Sequence, residues 1–69
     1  VGAASSDEMR YFLGHLEETL LELEVINPSR PRQLMSRMTR LFMRCRMDKM
    51  EVSIMRGVLS AAQKLVKKR

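Results

Sequence analysis

The sequence predicts an all-α fold, a small three-helix bundle with helices over about residues 6–24, 31–46 and 49–66. Three observations predict it. Apolar residues recur at three- and four-residue spacing, β-branched residues never alternate along a run, and only three Gly and two Pro punctuate the 69 positions. A chain of this length allows one domain, which buries only about 60% of its unfolded surface, so a core that encloses a substrate is out of reach.

The first helix is expected to begin at Ser5 or Ser6. Ser5 and Glu8 have capping-box spacing, and Asp7 and Glu8 set negative charge at the positive end of the helix dipole. Met9, Phe12, Leu13, Leu16, Leu20 and Leu23 make one apolar stripe, with Glu18 and Glu22 on the opposite side. The segment Val25 to Arg30 ends this helix, because Pro28 removes a donor and disfavours helix at Asn27. Val1 to Ser5 are small residues without pattern, expected to be a disordered start or a cloning remnant. With no initiator Met, the chain is expected to be an excised fragment or a processed product.

Pro31 suits the first turn of the second helix, where its missing N–H costs nothing. Leu34, Met38, Leu41, Phe42 and Cys45 form the core stripe of this helix. Asp48 and Glu51 make a second capping box, so a third helix starts almost at once. Its buried face is expected at Ile54, Met55, Val58, Leu59, Ala62 and Leu65. Gly57 sits mid-helix at a cost of about 1 kcal/mol relative to Ala, for which close approach of another helix is the expected reason. The break from Cys45 to Asp48 is short, so helices two and three are expected to turn sharply against each other.

Charge is sorted along the chain. From Val1 to Pro28, Arg10 stands against six acids; from Ser29 to Arg69, twelve Lys and Arg stand against Asp48 and Glu51. The net +5 is therefore about −5 on one arm and about +10 on the other. Such a basic arm offers a surface to a polyanion. On a wheel of about 100° per residue, Arg37, Arg40 and Arg44 share an arc of about 60° with Gln33, set about 120° from the apolar stripe. Their guanidiniums reach solvent while their stems line the core edge, and Arg grips phosphate oxygens with paired N–H bonds. Arg30 and Arg32 open the same helix, where free backbone N–H groups attract anions, and Lys64, Lys67, Lys68 and Arg69 close the third. The plainer readings are a solvated basic face, pairing of Glu18 and Glu22 with the arginines, and a frayed basic end.

Other chemistry finds little support. His15 has no companion at metal spacing and is expected to be structural and partly buried; no metal set is visible. Cys45 lies on the apolar stripe as a buried thiol, and a lone cysteine suits a reducing cytoplasm. Most of the seven Met are core filler, but Met43 and Met47 fall outside the stripe and either mark a covered surface or are simply exposed. Tyr11 lies off the stripe, a lone candidate for base stacking. No Gly-rich phosphate loop or acid–base pair suggests an enzyme, no apolar run approaches the roughly 20 residues of a membrane span, and Trp is absent from any lipid-facing surface. What remains is a nucleic-acid-binding accessory module or a protein-interaction module.

The run Gly14, His15, Leu16, Glu17, Glu18, Thr19, Leu20, Leu21 resembles the first C-terminal helix of the bacterial TrmJ-type tRNA methyltransferases. So do Pro31, Arg32, Gln33, Leu34, Met35, then Arg40, Leu41, Phe42, Arg44 and Arg46, while Glu51 to Leu59 is similar to the family's last helix. Thr39 stands where family members often carry a basic residue. The resemblance implies a parent with an N-terminal knotted SPOUT domain that binds S-adenosylmethionine, dimerises and methylates a ribose 2′-hydroxyl at nucleotide 32 of the tRNA anticodon loop. It implies that this fragment, about Asp7 to Gln63, binds no cofactor, is non-catalytic alone and helps hold tRNA. Arg30, Arg32, Arg37, Arg40, Arg44, Lys64, Lys67 and Lys68 are the expected tRNA contacts. The alternative is a module that docks on, or dimerises, its parent catalytic domain.

Overall fold

The computed structural model describes residues 2–27 and 29–68, and of Pro31 the backbone alone. Readings placed on Val1, Pro28 and Arg69 lie outside those residues. Three helices account for the fold: α1 (Ser6–Glu22), α2 (Pro31–Cys45) and α3 (Lys49–Lys67). The expected all-α class and element order hold.

Both capping boxes are formed. Ser5 Oγ accepts from the Glu8 N–H at 3.1 Å while Glu8 Oε1 accepts from the Ser5 N–H at 2.7 Å. Asp48 and Glu51 repeat the exchange at 2.7 and 2.9 Å. Each box satisfies donors that a helix start leaves orphaned. The bonds to Ser5 hold the Glu8 carboxyl below its usual range.

α1 stops at Glu22, two residues short of the expected end, because Glu24 adopts the left-handed conformation (φ 63°). The N–H of Glu24 then bonds the Leu21 carbonyl at 3.1 Å and that of Val25 the Leu20 carbonyl at 2.9 Å, a Schellman closure of the last turn. With glutamate where glycine usually sits, the composition gave no sign of it. Behind this cap, Ile26 turns inward and is buried. Asn27 continues the loop, its carbonyl accepting from the Arg30 N–H at 2.9 Å.

Residues 2–4 run alongside the start of α3. Ala3 forms an isolated antiparallel bridge with Asp48; the Ala4 N–H bonds the Met47 carbonyl and the Lys49 N–H bonds the Gly2 carbonyl, both at 3.1 Å. α1 and α3 therefore start side by side. Further along, His15 and Glu22 both meet Gln63, so the two helices run parallel and α2 returns in the opposite direction across the pair.

α1 and α3 form the close pair, while α2, which the short break from Cys45 to Asp48 was expected to turn sharply against α3, contacts the other helices more sparsely. Met9, Phe12, Leu16, Met47, Val52 and Leu59 make the buried core. The Thr19 hydroxyl is fully buried and donates to the His15 carbonyl at 2.8 Å, which removes the penalty of an unpaired polar group. α2 reaches this core through Met35, Met38 and Phe42, the last edge-on to Phe12 with ring centroids 5.0 Å apart. No described side chain of α2 is fully buried.

Several expected core positions are instead exposed. Leu23, Leu41, Ile54, Val58 and Leu65 face outward, and so does the Cys45 thiol. The stripes were drawn too wide: a three-helix bundle covers only a narrow arc of each helix, and residues at its margin stay in water. The stripes also omit four buried residues: Thr19, which is polar, Ile26 in the loop, and Met47 and Val52, which precede or begin a helix where periodicity has little length to show.

Gly57 meets nothing either. An ideal Cβ built there finds no atom within 4 Å, so no helix approaches it. Gly57→Ala is expected to stabilise the domain by about 0.5–1 kcal/mol through helix propensity and unfolded-state entropy. Thermal melting should rise by roughly 4–8 °C per kcal/mol for a domain of this size.

Candidate nucleic-acid interface

α2 is mounted with Met38 and Phe42 toward the core, which leaves the arc through Arg37, Arg40 and Arg44 pointing to water. At 1.5 Å per residue the three span about 10 Å of a 15-residue helix about 22 Å long. Arg30 and Arg32 are exposed at its start. Among the described residues the single ion pair is Arg10 with Asp7, one turn apart on α1. The arginines of α2 are therefore not neutralised within the domain, and neither Glu18 nor Glu22 pairs with them.

The surface between these side chains is a chain of shallow depressions. One is lined by Ser29, Arg30, Arg32 and Gln33; the next by Gln33, Leu34, Ser36, Arg37 and Arg40; a third by Arg40, Met43, Arg44 and Arg46. The largest is the groove between α1 and α2, where Arg32 and Arg40 face Arg10 and Glu17. Arg40 borders three of the four. Lys64, Lys67 and Lys68 are also exposed but line none of these depressions. The parallel course of α1 and α3 puts them at the end of the bundle where α2 begins, the end of Arg30 and Arg32.

A family model described as "tRNA methyltransferase TrmJ, C-terminal domain" matches residues 7–69. The chain belongs to this family. It is 40% identical over 63 residues to the tRNA (cytidine/uridine/adenosine-2′-O-)-methyltransferase TrmJ of Pseudomonas aeruginosa, covering 91% of this chain and 24% of that protein. It is 43% identical over 58 residues to the tRNA (cytidine/uridine-2′-O-)-methyltransferase TrmJ of Pectobacterium atrosepticum, covering 84% of this chain and 24% of that protein. The TrmJ of Cronobacter sakazakii is 40% identical over 57 residues, 83% of this chain and 23% of its own. The chain thus spans about a quarter of the length of the curated relatives it matches. No solved structure matches it.

In this TrmJ C-terminal domain, sequence reasoning missed two cations of the basic surface. Arg10, counted with the acidic arm, crosses to the α1–α2 groove because its position on α1 faces α2. Arg46 caps α2 in the left-handed conformation (φ 50°), where glycine would sit without strain. Its side chain borders the same depression as Arg40 and Arg44. The matching spacing of Arg44 and Arg46 was the signal available for it.

Other side chains resolve into the seam between α1 and α3. Arg56 Nε donates to His15 Nδ1 at 3.3 Å, His15 Nε2 lies 2.9 Å from Gln63 Oε1, and Gln63 Nε2 donates to Glu22 Oε2 at 3.4 Å. Because Arg56 is always a donor, Nδ1 accepts and the proton sits on Nε2. His15 is structural and half-buried, as expected. Glu22, read as outward, instead turns toward α3, with Oε1 enclosed and without a protein partner. Tyr11 is 68% exposed and lines none of the arginine depressions. Among the described residues no group of three or more His, Cys, Asp or Glu is placed to hold a metal, and no helix is long and apolar enough to cross a membrane.

Proposed function

We propose that this TrmJ C-terminal domain holds tRNA for a ribose 2′-O-methyltransferase by gripping backbone phosphates with the exposed face of α2. The observation that carries this reading is the row of Arg37, Arg40 and Arg44, solvent-facing and free of carboxylate partners among the described residues. Arg30, Arg32 and the lysines at the end of α3 widen the footprint. Such contacts position the RNA; they do not read sequence, so discrimination rests on the folded shape of tRNA and on the remainder of the parent.

The remainder of the parent carries the chemistry in this reading: an N-terminal SPOUT domain, dimeric, acting in the cytoplasm at nucleotide 32 of the anticodon loop. S-adenosylmethionine is assigned there as methyl donor. The grooves on this chain are open and shallow, a poor fit to an adenosyl group, and no step is assigned to these residues. Charge reversal of the arginine row, with tRNA affinity followed across salt, tests the reading.

A second reading is favoured by α3. Ile54, Val58 and Leu65 are each more than half exposed and lie along one stripe at four- and seven-residue spacing. Such a row suits docking onto the rest of the parent, since three quarters of each relative lies outside this domain. Met47, buried in the core, drops out as a docking residue, whereas Met43 on α2 is exposed as that reading requires. If the stripe docks, Ile54→Ser with Val58→Ser should leave the domain folded but raise protease sensitivity of the junction in the full-length protein. Unchanged digestion would leave the stripe as ordinary exposure.

A further inference from the structure

We propose that the groove between α1 and α2 seats one backbone phosphate of RNA, so that the strand dips into the seam as well as crossing the outer crest of α2. The inference rests on the tRNA reading and goes further by naming a seat and an orientation.

Three arginines from two helices line this groove: Arg10 from α1, Arg32 and Arg40 from α2. The Arg10–Asp7 pair is exposed on both sides, so it holds Arg10 only weakly and leaves its other N–H groups for a phosphate. Ser36 and Thr39 add hydroxyl donors on the α2 wall.

Gly14 lies on the α1 wall of the groove, mid-helix, and a Cβ there would meet no protein atom within 4 Å. Packing therefore gives no reason for glycine at a position where helix propensity disfavours it. Gly57 is equally unhindered but lines none of the grooves. Glycine in the wall of a cationic groove leaves room for a ligand's backbone to come close.

The half-buried Glu17 sits on the same wall and fixes the orientation. Its carboxylate repels a phosphate, which keeps the anion on the arginines. It also accepts hydrogen bonds, so a ribose 2′-hydroxyl or a base amino group is the part of the nucleotide that faces it.

The test replaces no charge. In the full-length protein, Gly14→Leu should fold, since leucine is the better helix former and its Cβ meets no neighbour, while the rest of the side chain projects into the open groove. With an unmodified tRNA transcript, its affinity should fall about tenfold and its salt slope should flatten by about 0.7–0.9, the loss of one phosphate contact. Gly14→Ala should keep affinity within about twofold while melting higher, because a methyl group leaves the groove open. If Gly14→Leu bound with unchanged affinity and slope while reversal of Arg37, Arg40 and Arg44 abolished binding, the seat would fall and the helix-face reading would stand. If neither change affected binding, both would fall.

Discussion

Replacing Arg37, Arg40 and Arg44 together by Glu should weaken tRNA binding by about 100- to 1,000-fold at physiological salt and leave the domain folded. The size follows from the chemistry of each contact. A hydrogen bond to a charged group contributes about 1.5–3 kcal/mol, and three that act on one ligand combine to less than their sum. Reversal adds repulsion of the strand by three carboxylates. Stability should change by no more than about 0.5 kcal/mol, because the three side chains are exposed and hold no ion pair among the described residues. The decisive measurement is the slope of log affinity against log salt, which should lose about 2–3 units with three phosphate contacts. An unaltered slope would mean that the row is a solvated face and that tRNA is held elsewhere.

Phe12→Ala should unfold the domain. Phe12 is fully buried, touches Phe42 edge-on, and joins α1 to both other helices. Truncation of a buried Phe costs about 3–5 kcal/mol, and a domain of 69 residues has roughly 5 kcal/mol to lose. Circular dichroism should show the cooperative melt replaced by a shallow slope. A sharp transition within a few degrees of the parent would show that the core holds without the Phe12–Phe42 contact. Phe12→Leu, which keeps most of the volume, should melt cooperatively at a lower temperature.

The helices were legible because their starts are chemically explicit. Ser5 with Glu8 and Asp48 with Glu51 fix two N-termini to the residue, and Pro31 fixes the third. Helix ends were less legible. Glu24 in the left-handed region closes α1 without the glycine that would announce it. Burial was legible at the centre of each stripe, at Phe12, Leu16 and Leu59, and lost at the margins, at Leu41, Val58 and Leu65. Periodicity gives a direction but not how much of each face a neighbour covers. Of the candidate interface, the row on α2 could be drawn from spacing alone. The place of Arg10 in it could not, since nothing in the order of residues says which flank of α1 meets α2.

The hold on α2 has a consequence for how the domain meets a curved ligand. Met35 and Met38 are unbranched thioethers, and with Phe42 they are the side chains by which α2 rests on the α1–α3 pair. Unbranched thioethers re-pack at little cost, so α2 is expected to roll on this seat while the parallel pair beneath keeps its register. The arginines then turn as a set. Their spacing along α2 stays constant while their bearing adjusts, and under the proposed tRNA-binding role one row would then suit strands of differing curvature. Amide exchange would see this as faster opening in α2 than in α1 or α3, slowed when RNA is bound.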